Sequence, residues 1–149
     1  MADQSPFDVL ESTFRLLCAD PKPLAVDGRE LRRPFPARPI PLDELAGMLL
    51  HPATPYEARD RAVRLLLERS RSTGGAWTVG LAGVVLPGLR RALAPMARAW
   101  PEHAEDLEAD ALAGLVEAIG RFDPVPEPVV GRLVWRVTSH AWTSASSWA

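Results

Sequence analysis

Residues 105–124 read EDLEADALAGLVEAIGRFDP, and this stretch decides the fold class of the chain. Leu107, Ala111, Leu115, Ala118, Ile119 and Phe122 recur at three- and four-residue steps, which puts them on one apolar stripe of a helix. Glu105, Asp106, Glu108 and Asp110 crowd its N-terminal half, where carboxylates complement the positive end of the helix dipole. Arg121 stands near the other end. Gly114 is out of place by propensity, about 1 kcal/mol worse than alanine, unless another helix approaches closely there. Periodicity alone therefore predicts a core helix with an acidic outer face.

The same reasoning extends in both directions. Phe7, Leu10, Phe14 and Leu17 predict a short amphipathic helix over residues 6–19. Six prolines then fall between Pro21 and Pro41. Each removes an N–H and fixes φ, so residues 20–41 are expected to form an extended, partly disordered arm with a turn at Asp27-Gly28. A helix restarts at Pro41 and stops at His51-Pro52. Thr54 is the expected cap, and Pro55 the first residue, of a helix running to about Arg71. Its apolar side is Ala62, Val63, Leu66 and Leu67. Its other side holds Arg59, Arg61, Arg64, Arg69 and Arg71, read as a solvated, salt-bridged face, with contact to phosphates or an acidic partner as the alternative.

Ser72-Thr73-Gly74-Gly75 is the clearest linker. It divides the chain into an N-terminal helical region, residues 1–75, and a second helical domain, residues 76–149. Between Trp77 and Trp100 the spacing is helical with Val85, Leu89, Leu93, Met96 and Trp100 inward. Pro87 and Pro95 predict a break before Pro87 and a kink near Pro95. Pro124, Pro126 and Pro128 end the acidic helix, and a last helix follows over residues 129–142. The expected fold is an all-α helical bundle.

The 149 residues carry a net charge of −2, too little for a strong global field toward nucleic acid or an anionic membrane. The distribution is uneven, with −7 over residues 101–127 against +6 over residues 21–100. The single cysteine, Cys18, leaves no intramolecular disulfide, which fits a cytoplasmic setting. Neither a signal peptide nor a membrane span is expected. His51, His103 and His140 lie far apart without metal-ligand spacing. STGG lacks the Gly-Lys-Ser/Thr of a phosphate loop. Neither a cofactor nor enzymatic activity is expected.

Residue identities add what periodicity cannot. Asp106-Leu107, Asp110, Gly114-Leu115, Ala118 and Phe122-Asp123-Pro124 together resemble the central helix of region 2 in bacterial RNA polymerase sigma factors. LAGVVLPGLRRALAPMARAWP is similar to the helix before it, and VVGRLVWRVTSHAW to the helix after it. The resemblance spans about residues 77–142 and leaves residues 1–75 uncovered. It implies a docking face for RNA polymerase at Asp106, Ala109, Asp110, Leu112 and Val116. Ala109 and Leu112 stand where that family commonly has polar side chains, which implies weaker docking. By the same resemblance Arg132, Trp135, Arg136, His140 and Trp142 would meet single-stranded DNA, by stacking and phosphate contact. Trp135 and Trp142, seven apart on one face, read more readily as core positions, since a stripe at helical spacing is usually packing. Two arginines give few phosphate contacts, so DNA binding is expected to be weak.

The expectation is a sigma-like transcription protein, degenerate or regulatory, docking on RNA polymerase or an associated factor. The alternative is a helical protein–protein interaction module that keeps the fold, acting on another partner or as a homodimer. Direct nucleic-acid binding by the basic middle segment is a third reading.

Overall fold

The computed structural model of the chain describes residues 4–121 and Val137. Among them the elements run α1 (Pro6–Leu17), β1 (Ala25–Asp27), α2 (Gly28–Leu31), β2 (Pro39–Pro41), α3 (Leu42–Leu50), α4 (Tyr56–Thr73), α5 (Ala76–Ala99), a single 3₁₀ turn (Pro101–His103) and α6 (Ala104–Arg121). The protein is an all-α bundle carrying one small antiparallel ribbon.

The bundle is organised around α5, which packs against α1, α3, α4 and α6. Here the structure corrects the sequence: α5 is one continuous helix of 24 residues with Pro87 and Pro95 inside it. Each interior proline costs roughly 3 kcal/mol in an isolated helix. Against this, Leu81, Val84, Val85, Leu86, Leu89, Leu93 and Met96 are all buried. Each contributes roughly 1.5–3 kcal/mol by leaving water, so burial outweighs the two prolines. By length and composition alone α5 is apolar enough to cross a membrane, but 56% of its most apolar window is buried inside the protein. Close packing extends to the glycines. Gly83 lies under the Phe14 ring of α1, and a Cβ there would come within 2.1 Å of it.

The Pro-rich arm is the second correction. It is a folded part of the core, with Val26, Leu31, Phe35 and Ile40 each no more than 6% exposed. Val26 and Ile40 face each other in the β1–β2 ribbon, flanked by the pairs Ala25–Pro41 and Asp27–Pro39. A two-stranded ribbon has two edges, so its prolines sit where no ladder N–H is required. Asp27-Gly28 is not the hairpin turn. Asp27 caps the short helix α2 by accepting from the Arg29 N–H at 2.9 Å. Gly28 is pressed against the chain returning from α2, where a Cβ would lie 1.7 Å from the Pro36 carbonyl oxygen.

Arginines of α4 hold this arm in place. Arg61 donates from Nε to the Leu31 carbonyl at 3.1 Å and from Nη2 to the Arg33 carbonyl at 2.7 Å. Arg69 makes a two-pronged contact with Glu30 at 2.8 and 2.9 Å and lies 5.5 Å from the Trp77 ring centroid. At the other end of the arm Arg38 pairs with Glu44 of α3. That hydrogen bond holds the Glu44 carboxyl below its ordinary pKa. The basic side of α4 is thus partly an internal clamp.

At the start of α4, Pro55 rather than Thr54 is the cap residue, and no side chain caps the helix. Thr54 instead donates its hydroxyl to the Met48 carbonyl at 2.5 Å, closing the end of α3. Gly74 and Gly75, at φ 67° and 51°, reverse the chain between α4 and α5. Across that reversal the Ser70 and Thr78 hydroxyls are 2.6 Å apart. Ser72 and Thr73 of the expected linker close α4, and the helices on either side of the Gly74-Gly75 reversal contribute to one hydrophobic cluster.

Substituting two glycines should change stability in opposite directions. Gly28→Ala meets backbone and should lower the unfolding free energy by about 1–3 kcal/mol, as overpacking does. Gly47→Ala, in α3 with nothing within 4 Å of the added carbon, should raise it by up to about 1 kcal/mol. Urea unfolding of the two variants reads both signs.

Burial raises the Cys18 thiol above its ordinary pKa, with the Asp43 charge adding to the shift and backbone N–H groups of Asp43 and Leu42 opposing it. A raised pKa means less thiolate at a given pH, and the thiolate is the nucleophile. Alkylation by iodoacetamide near pH 8 should therefore be at least about tenfold slower in the native protein than in urea.

Candidate functional site: the outer face of the acidic helix

The sequence of α6 builds two unlike faces. Leu107, Ala111, Gly114, Leu115, Ala118 and Ile119 are buried, as the apolar stripe predicts. The opposite side carries Asp106, Ala109, Ala113, Val116 and Glu117, all exposed. The preceding 3₁₀ turn starts the helix and places His103 beside this face. Its Nδ1 is 3.7 Å from an Asp106 carboxylate oxygen, and its Nε2 is 3.9 Å from Glu102. The Asp106 side chain is nonetheless 72% exposed. Further along, Glu117 pairs with Arg121 at 3.0 Å.

Of the residues assigned to docking, the helix brings Asp106, Ala109 and Val116 onto one outward strip. Val116 is 60% exposed, a large apolar side chain left to solvent. Asp110 and Leu112 are half-buried on the two flanks. Residues two apart on a helix diverge by about 200°, so these two cannot face the same way. Leu112 leans against the core. Ala113, absent from the sequence-based set, lies in the middle of the strip. Its position follows from the 3.6-residue period, counting seven onward from Asp106.

One acidic residue has a role that its neighbours in sequence conceal. Glu108 accepts the Phe7 backbone N–H at 2.8 Å, so a carboxylate of α6 satisfies a free N–H at the start of α1. Ser5 and Asp8 form a reciprocal capping box at the same end, with bonds of 3.2 and 3.3 Å. Arg90 of α5 completes the junction, 3.6 Å from Asp8, 3.3 Å from Glu11 and 5.5 Å from the Phe7 ring centroid. Nothing in the local spacing of Glu108 announces a partner 101 residues away.

Arg132, Trp135, Arg136, His140 and Trp142, together with Phe122-Asp123-Pro124, lie outside the described residues. Within the last predicted helix only Val137 is described, helical and fully buried. Among the described residues, no group of three or more His, Cys, Asp or Glu side chains is placed to hold a metal ion.

Comparisons with protein-family models, with curated proteins and with solved structures returned no match to this chain.

Removing Glu108 tests the α1–α6 junction. Glu108→Ala leaves the Phe7 N–H without its acceptor and should cost about 1–2 kcal/mol, while Glu108→Gln, which keeps an oxygen acceptor, should restore most of it. Hydrogen exchange at the Phe7 amide should accelerate in the alanine variant alone.

Proposed function

We propose that the chain is a sigma-like helical protein of transcription that docks on RNA polymerase, or on a regulator bound to it, through the outer face of α6. Its role on this reading is regulatory, without promoter reading of its own. The observation that carries the reading is the strip Asp106, Ala109 and Val116. It joins an exposed carboxylate to an exposed valine on a helix anchored along its other side. The residue pattern of α6, and its place directly after the long apolar α5, supply the resemblance that names the partner class.

The chemistry of the strip fits a basic partner surface with an apolar centre. Asp106 supplies steering and a charge-assisted hydrogen bond. Ala109 and Ala113 let a partner backbone or long side chain come close, and Val116 gains by losing its water. Asp110, half-buried beside Asp106, adds negative potential to that end.

A second reading is favoured by Val116 alone. An exposed large apolar residue flanked by Ala109 and Ala113 also suits packing against a second copy of the same face. Light scattering separates the two, since self-association through this strip requires a dimer that Val116→Lys disrupts.

Retention on immobilised core RNA polymerase at low salt tests the leading reading. Wild-type protein should be retained, and retention should fall as salt rises. Asp106→Arg combined with Asp110→Arg should weaken binding at least about tenfold, or roughly 1.4 kcal/mol. No retention, or retention unaffected by the double reversal, would sink it.

A further inference from the structure

A second feature of the surface stands apart from the outer strip of α6. Between the C-terminal half of α5 and the start of α6 lies an open cleft of about 330 Å³, bounded at one end by Phe7. Leu93, Ala94, Ala97, Ala104 and Leu107 give it an apolar floor. The alanines leave the space that larger side chains would fill. Glu108, rather than Asp106, faces it.

The charges around the cleft are unequally engaged. Glu108 is held by the Phe7 N–H, and Arg90 lies between Asp8 and Glu11. Arg98 is on the rim, and Arg91 is one face-repeat earlier on α5. Both are exposed, and neither has an ion-pair or hydrogen-bond partner among the described residues. Seven residues of helix rise about 10.5 Å, so two uncompensated positive charges stand two turns apart on the helix that walls the trough.

We propose that this cleft is a docking groove for an acidic amphipathic helix of a partner protein. A trough between two packed helices accepts a third by the same ridge-into-groove fit that holds the bundle together. Aliphatic side chains at three- and four-residue steps fill the apolar floor. Carboxylates seven apart on one flank of the incoming helix repeat the spacing of Arg91 and Arg98. A second copy of this chain fits poorly. Its acidic pair seven apart on α6 is Asp110 and Glu117, of which Asp110 is half-buried and Glu117 is paired with Arg121.

The test uses the full chain and a synthetic alanine-based helical peptide. The peptide carries leucines every third or fourth position and glutamates seven apart on one flank. Fluorescence anisotropy should show saturable binding. Replacing the peptide glutamates by lysine, or the protein's arginines by Arg91→Glu with Arg98→Glu, should each weaken it by about tenfold, equivalent to 1.4 kcal/mol. Both arginines are exposed, and an unchanged thermal melt verifies that the variant is folded. Amide shifts on titration should centre on Leu93, Ala97 and Leu107.

Equal binding of the acidic and basic peptides would overturn the proposal, as would binding indifferent to the double reversal or none up to about 1 mM. So would a concentration-dependent dimer lost in the arginine variant, which would make the cleft a self-interface. The polymerase-retention experiment reads Asp106 and Asp110 instead, so either idea can fail while the other stands.

Discussion

An apolar helix with two internal prolines keeps its shape only while it is surrounded, and the rest of the molecule follows from surrounding α5. Over residues 80–86 its buried positions turn in every direction, so one neighbour is not enough, and α1, α3, α4 and α6 all pack against the helix. Glycines 80 and 83 mark the closest approaches, where side chains of Leu42 and Phe14 occupy the room a Cβ would need. The position of α6, and with it the direction of its outer strip, is therefore set by the packing of α5 and not by any feature of the strip itself.

Electrostatics plays a different part from the one the charge distribution suggests. The basic middle of the chain looks like a surface waiting for an anion. Part of it is engaged within the chain, with Arg61 donating to two carbonyls of the arm and Arg69 gripping Glu30. Arg38 and Glu44 fasten the returning strand. These contacts give a proline-rich segment the hydrogen-bond partners that its own backbone cannot supply in a sheet of ordinary width. On α5 the arginines divide, with Arg90 locking α1 to the bundle and Arg91 and Arg98 left to solvent. The acidic helix divides likewise, with Glu108 turned to the α1 junction and Asp106 left outside.

Helical periodicity was sufficient wherever an element is long and buried on one side. The apolar stripes of α1, α4 and α6 were legible because the 3.6-residue repeat leaves a one-face record in the sequence. Two places defeated the same reasoning. The Pro87 break was inferred from a cost that local propensity does charge, but tertiary burial outweighs it. The arm was inferred to be loose from proline density, because a ribbon of three-residue strands is too short to show alternation.

The sequence by itself determined the helical class, the two faces of α6 and the outward place of Asp106, Ala109 and Val116, since each depends on spacing within one element. Tertiary structure alone decided that α5 is continuous, that the arm belongs to the core, and that Asp110 and Leu112 lie on opposite flanks at half-buried positions. It also decided which charges are engaged. Glu108 capping Phe7, Arg61 clamping the arm, and Arg98 left without a partner among the described residues at the rim of a cleft between two helices are relations between residues far apart in the chain. Such relations carry no local period, and only the packing of helices against one another brings them into being.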